Sequence, residues 1–468
     1  IPALGCFGGD AVATGDGDDI ILGDNGVITY DGPVGELELS SILSTEISSG
    51  GNDGIDSGDG DKTVFGGFGS DQVDAGVGDH TVIGDNGQIT YDTDGAPKMV
   101  QSIDTAAHSG YGGSDQITLD DGNNIIIGGM AGDTMVTGNG DEIIVGDNGQ
   151  ILFAGPVGGL ELSTILTTEP SAGGNDAVTS GDGNKTVLGG FGSDYVTAGV
   201  GDHIVFGDNG AITYDTDGAP KVLQTTDTAE HPEYGGNDSV LLGDGDNHVF
   251  GGMGGDVITT GNGTDFIFGD NGKIEYTGLT GNLVLKSMAS MLPAFGGDDI
   301  VTTGNGDKHV IMGTGSDNAS TGTGDDILIG DNGNVIYDIN GIPALVYNTD
   351  PEIGGNDTLR TLGGTNIIIG GVGDDALYGG YGNDAMFGDG GQVTLINGKW
   401  YLVETIHHFI GGDDWIDGGD GLDVMFGGAG YDTFVGDFGY DIMVDTYGRV
   451  TFEPETHQAE TLVRLDTI

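Results

Sequence analysis

Gly66-Gly67-Phe68-Gly69-Ser70-Asp71-Gln72-Val73-Asp74 decides how this chain is read. It has the form G-G-x-G-x-D-x-U-x, with U a large apolar residue. The form recurs at 189–197 and 251–259, and close variants start at Gly128, Gly370, Gly379 and Gly427. Closely spaced glycines allow backbone turns that other residues resist. Such a turn points carbonyls inward, and the sixth-place aspartate adds a carboxylate. Oxygen at that density suits calcium, a hard cation that takes six to eight oxygen ligands. The x-U-x that follows reads as a short strand with its U side chain in a core. One turn neither completes a metal shell nor buries its U residue. Stacked turns do both, so the motif works as an array.

The composition fits an array better than ordinary domains. Of 468 residues, 98 are glycine, and 75 acids face 11 lysines and arginines, a formal charge of -64. That charge with irregular apolar residues would give a disordered chain. Here the apolar residues are regularly spaced, so the chain is expected to fold once cations neutralise it. The charge disfavours nucleic acid as a partner, and no apolar run spans a bilayer. The one cysteine, Cys6, excludes an internal disulfide framework. The chain opens with Ile1 inside a repeat, which reads as a piece of a longer protein.

Two longer periods lie above the nonapeptide. Gly-Asp-Asn-Gly begins at Gly23, Gly84, Gly146, Gly207, Gly269 and Gly330, with Gly-Asp-Gly-Gly at Gly388, so one repeat unit is about 61 residues. Two kinds of insertion alternate and double the period to 123. One, at Gly32 to Leu39, returns at Gly155; the other, at Tyr91 to Lys98, returns at Tyr214. This regularity predicts an all-β fold: a parallel β-roll (β-helix) solenoid with periodic insertions. The continuous array covers 1–445, with a partial first unit at 1–30. Residues 446–468 lack the repeat and read as a cap or the start of another segment.

In a flattened roll, successive nonapeptides turn on opposite edges. The first edge keeps aspartate at the sixth place: Asp53, Asp71, Asp115, Asp133, Asp176, Asp194, Asp238, Asp256, Asp299, Asp317, Asp357, Asp375, Asp414 and Asp432. These are the candidate ligands of a nearly continuous calcium ladder. The second edge is mixed. Lys62, His80, Asn124, Glu142, Lys185, His203, Asn247, Lys308 and Asn366 interrupt the further candidates Asp19, Asp265, Asp326, Asp384, Asp423 and Asp441. A lysine at such a place can supply its own ammonium instead of an ion.

The residue after U forms an apolar ladder on the strands that follow second-edge turns, including Phe65, Phe206, Phe268, Ile329 and Ile369. Such a face does not stay wet on a monomer. Either insertions cover it or it is a self-association surface. Leu37 to Ile47 and Leu283 to Leu292 have the apolar spacing of short covering helices. Gly84 to about Ser109 fits one more coil with enlarged loops, three coils per unit; a β-hairpin is the rival, because Asn-Gly is also a hairpin signal.

Catalytic constellations are not indicated. There is no Gly-x-Ser-x-Gly or His-Glu-x-x-His. His80 and His203 occupy the same repeat slot 123 residues apart, so they read as structural substitutes for aspartate. His407-His408 is a weak transition-metal candidate. Thr137, Thr260, Thr303 and Thr321 on turns suggest an ice-binding ladder, which other residues interrupt in the remaining repeats.

On these consecutive nonapeptides, residues 7–445 resemble the RTX family of secreted, calcium-dependent bacterial proteins. The resemblance implies type I secretion, an unfolded state in the calcium-poor cytosol and folding outside the cell. Family members include toxins, proteases, lipases, adhesins and surface-layer proteins. With no separate catalytic part visible, the expectation is a non-enzymatic, calcium-stabilised structural or adhesive protein of a surface layer, filament or large adhesin. The alternatives are a secretion or stability module of an RTX enzyme or toxin, and an ice-binding roll.

Overall fold

The computed structural model describes the chain except residues 1, 6–7, 34–36, 109, 229, 408, 454–458 and 465–468. Cys6 and His408 therefore lie outside the described residues. The chain forms two compact units. The first is 1–227 with 233–242 and 279–281; the second is 228–232 with 243–278 and 282–468. Helical structure among the described residues is confined to the 3₁₀ turns Ala106–His108 and Pro232–Tyr234. No helix of the described residues is long and apolar enough to cross a membrane.

In the first unit the nonapeptides build two parallel sheets. Strands after first-edge turns, such as Gly54–Ser57, Gln72–Ala75 and Gln116–Leu119, pair so that U lies beside U: Ile55 by Val73, Val73 by Ile117. Strands after second-edge turns, such as Lys62–Phe65, Thr81–Ile83 and Ile125–Ile127, do the same: Val64 by Val82, Val82 by Ile126. These U side chains are buried between the two sheets. The parallel β-roll follows directly from the nine-residue period.

The insertions are neither coils nor helices. Gly87–Tyr91 and Pro97–Ser102 form an antiparallel hairpin, as do Gly26–Asp31 with Glu38–Ser44, Gly149–Ala154 with Glu161–Thr167, and Gly210–Tyr214 with Pro220–Thr225. Successive hairpins pair with each other, Ile89 beside Ile42 and Val100 beside Ile151, and make a third sheet. The extra coil at 84–109 and the helix at Leu37 to Ile47 are therefore corrected, and each repeat unit holds two coils. A bulge explains the helical look. The register shifts between Thr29 and Tyr30, leaving Ser40 as the extra residue opposite. Strict alternation is lost there, and Leu39, Ile42 and Leu43 fall at helix-like spacing.

The third sheet covers the apolar ladder. A Cβ on Gly210 would lie 2.6 Å from the Phe206 ring, so only glycine lets the hairpin strand approach this closely. Phe65 and Phe206 are buried by this packing.

The second unit repeats the design. Its roll pairs Val257–Thr260 with Ile300–Thr303, and Asp265–Phe268 with Lys308–Ile311, in parallel. Its hairpins include Gly333–Tyr337 with Pro343–Asn348 and Gly391–Ile396 with Lys399–Thr405. Asn282–Ser290, expected in part as a helix, is a strand that pairs with Gly333–Tyr337. Residues 446–468 contribute Gly448–Phe452 and Ala459–Arg464, a further antiparallel hairpin. A Cβ on Gly272 would lie 2.4 Å from the Phe268 ring. Phe250 stacks on Phe268 at 5.1 Å, and Phe268, Ile329 and Ile369 are buried. The ladder is thus interior in both units. It is corrected as a self-association surface, because chain-internal strands already occupy it.

Candidate metal sites

Each first-edge aspartate uses one oxygen to lock its coil to the preceding one. In the first unit Asp71 Oδ1 accepts the N–H of Asp53 at 2.7 Å, Asp115 that of Asp71 at 2.7 Å, and Asp133 that of Asp115 at 2.7 Å. The partners are 18 residues apart within a block and 44 apart across a hairpin. In the second unit Asp317 accepts from Asp299 at 2.7 Å and Asp375 from Asp357 at 2.7 Å.

The other oxygen is left over. Among the described residues, Oδ2 of Asp53, Asp71, Asp115, Asp133, Asp176 and Asp194 is buried without a hydrogen-bond partner. So is Oδ2 of Asp299, Asp317, Asp357, Asp375, Asp414 and Asp432 in the second unit. Asp238 and Asp256 sit in the same rows. A Cβ on Gly66 would meet the Gly84 carbonyl oxygen at 2.0 Å and Asp71 Oδ2 at 2.4 Å. Carbonyl and spare carboxylate oxygens therefore converge on one small volume at each turn. No group of three His, Cys, Asp or Glu side chains gathers among the described residues. The oxygen array is made mainly from backbone, which suits a hard cation and not a transition metal.

A sequence model of the RTX calcium-binding nonapeptide repeat (four copies) matches residues 109–144, 172–204, 234–258, 241–273, 360–395 and 410–443. The chain is an RTX-type calcium-binding repeat protein. A search of curated proteins gave no match. The spare oxygens fit the ion that RTX repeats bind: a buried carboxylate costs several kcal/mol unless a cation or donor meets it.

The second edge of this RTX chain is different. Among the described residues, Asp384 and Asp423 keep a buried Oδ2 with no hydrogen-bond partner, like the first edge. Asp423 Oδ1 accepts from Asp384, and Asp441, part-exposed, accepts from Asp423 at 3.2 Å. Asp265 Oδ2 instead takes the Lys308 ammonium and the Thr260 hydroxyl, and Asp326 Oδ2 takes the Thr321 hydroxyl. Asp19 faces Lys62 at 3.9 Å. Thr137, Thr260 and Thr321 are buried and hydrogen-bond inward, Thr137 to Ser180 at 2.7 Å, so they present no ladder to ice.

A second buried acidic row went unread in the sequence. The aspartate of each Gly-Asp-Asn-Gly marker staples the two following coils. Asp85 accepts from Gly113 N–H at 3.0 Å and Met130 N–H at 2.5 Å; Asp331 accepts from Gly355 at 3.0 Å and Val372 at 2.5 Å. Asp24, Asp147, Asp208, Asp270 and Asp389 occupy the same slot. Its signal was in the marker itself, which keeps this aspartate in every copy.

Burial dominates the electrostatics. Burial, then the neighbouring Asp115, pushes the Asp71 carboxyl up to about 9, and burial likewise pushes Asp414 to about 9 and Asp384 to about 8. The unfolded value is about 3.9. A folded value above the unfolded one means that protonation favours the fold. That contribution is complete below pH ~4 and disappears as pH rises through about 9. In excess chelator, the β-signal of this RTX chain should therefore be regained as pH is lowered from 9 to 5. A β-signal that weakens over that range contradicts the assignment of these buried carboxyls.

Proposed function

We propose that this chain is an extracellular, calcium-stabilised structural or adhesive protein, part of a surface layer, filament or large adhesin, and not an enzyme. The observation that carries the proposal is the row of buried carboxylate oxygens without hydrogen-bond partners in each compact unit. A scaffold whose central rows are unfinished without cations has its folding tied to cation supply. The first-edge aspartates, from Asp53 to Asp432, hold the calcium, together with Asp384 and Asp423 of the second edge. Extracellular calcium modules bind with dissociation constants of roughly 10⁻⁴–10⁻³ M. The fold is then stable outside the cell and unstable in the cytosol, which accords with type I secretion of an unfolded chain.

Nearly all of the chain is spent on the roll and its covering sheet, which supports a structural role. Assembly or adhesion uses surfaces other than Phe65, Phe206, Phe268, Ile329 and Ile369, which are buried. Calcium-titrated light scattering with circular dichroism on one sample tests this reading. The expected result is β-structure gained with calcium, followed by a mass rising to a defined multiple or a filament. A folded chain that stays monomeric at all calcium concentrations overturns the assembly role and leaves adhesion alone.

A further inference from the structure

The second edge opens each 123-residue period with an acid and, 43 residues later, a lysine: Asp19 and Lys62, Glu142 and Lys185, Asp265 and Lys308. The three lysines are fully buried. Lys308 Nζ donates to the Gly263 carbonyl at 2.5 Å, Asp265 Oδ2 at 2.8 Å and the Gly261 carbonyl at 3.4 Å. Lys185 Nζ meets Glu142 Oε2 and the Gly140 and Asp182 carbonyls. Lys62 Nζ meets the Gly17 carbonyl and, at 2.8 Å, the Asp59 carbonyl, with Asp19 Oδ2 at 3.9 Å. Three donors of an ammonium thus face turn carbonyls and one carboxylate of the preceding coil. That oxygen set is the kind the first edge offers to a metal.

We infer that the ammonium groups of Lys62, Lys185 and Lys308 stand in the cation positions of the second edge, so that these places are closed to calcium. The neighbouring slots complete the substitution with protons. His80 accepts the Lys62 N–H at Nδ1 (3.2 Å), and its Nε2 reaches the Gly76 carbonyl at 2.8 Å. His203 repeats this with Lys185 N–H and the Gly199 carbonyl at 3.0 Å. Asn124 accepts from His80 N–H at 3.0 Å and donates to the Gly122 carbonyl at 3.2 Å. A sixth-place aspartate performs the first half of this pattern only, since an ionised carboxylate has no proton for its own turn. Histidine and asparagine close that turn with a donor.

Calcium on the second edge is then restricted to the later coils, around Asp384 and Asp423. Asp19 and Asp265 serve lysines, and Asp326 serves Thr321 and the Lys308 N–H at 2.9 Å. The tethered cations are present at every calcium concentration, so the metal requirement falls on the first edge and on the end of the second.

This inference rests on the calcium reading proposed above, and metal analysis after equilibrium dialysis separates the two. Lys308→Asp should fold in saturating calcium and bind one more ion per chain than wild type. Asp423→Lys places an ammonium one coil after Asp384, as Lys308 stands after Asp265. It should fold and bind at least one ion fewer. Unchanged stoichiometry in both folded variants overturns the inference, and so does a Lys308→Asp chain that fails to fold in saturating calcium. A wild-type chain that binds no calcium sinks the earlier reading instead.

Discussion

Removing calcium at pH 7.5 should unfold the protein, and restoring it should refold it. Among the described residues, at least six first-edge carboxylates in each compact unit have a buried oxygen with no hydrogen-bond partner. Burial pushes their carboxyls up, Asp71 to about 9 with the neighbouring Asp115 adding to the rise, and Asp317 to about 7. At pH 7.5 the folded chain must either keep protons there or hold charges unpaired, and both cost free energy. At about 10 mM calcium and dissociation constants of roughly 10⁻⁴–10⁻³ M, each independent site contributes about 1.4–2.7 kcal/mol. A few such sites match the whole stability of an ordinary domain, ~5–15 kcal/mol. Circular dichroism and hydrogen exchange in excess chelator should therefore show loss of the β-signal and of protection in both units. Magnesium should restore little, because it demands octahedral geometry and gives up water reluctantly. Persistent β-structure in chelator at this pH would refute the coupling of folding to metal.

Local chemistry made the roll legible. The spacing of glycine, aspartate and U set the coil, and Ile55 and Val73, 18 residues apart, stand side by side as the nine-residue period requires. Sixth-place aspartates were readable because their role repeats every 18 residues within a block. The covering sheet was not readable from period alone. Bulges between Thr29 and Tyr30 and between Thr90 and Tyr91 break the alternation of its strands. The ladder from Phe65 to Ile369 left open whether insertions or another chain cover it, since the covering strands lie outside the nonapeptides. One clue lay in the marker: the glycine after asparagine, as at Gly210 and Gly272, packs onto Phe206 and Phe268 where a Cβ would collide. The stapling aspartates were missed because Asp85 reaches N–H groups 28 and 45 residues away, a spacing set by the hairpin and invisible without it.

Lys185→Met should cost about 3–5 kcal/mol of stability in saturating calcium, the usual penalty for leaving one member of a buried ion pair alone. Both side chains of the Lys185–Glu142 pair are fully buried. Among the described residues, Ser180 at 3.2 Å is the second partner of Glu142 Oε2, and Oε1 has no hydrogen-bond partner. Methionine fills much of the lysine volume, so the loss reads out charge and hydrogen bonding more than packing. Burial raises the Glu142 carboxyl above its ordinary value, with Lys185 opposing that rise. Without the lysine the upward shift grows. Its contribution then favours the fold at low pH and fades as pH rises, so the variant should be less damaged at pH 5 than at pH 8. Adding Glu142→Gln should recover most of the loss, since the pair is then replaced by neutral groups. Lys286, paired with Glu275 at 2.5 Å on the surface, supplies the contrast: Lys286→Met should stay within about 1 kcal/mol. Equal losses at the two lysines would mean that the Lys185 ammonium is an ordinary surface-type pair and does not stand in for a metal. A large loss at Lys185 that excess calcium partly repairs would show the same oxygens accepting either cation.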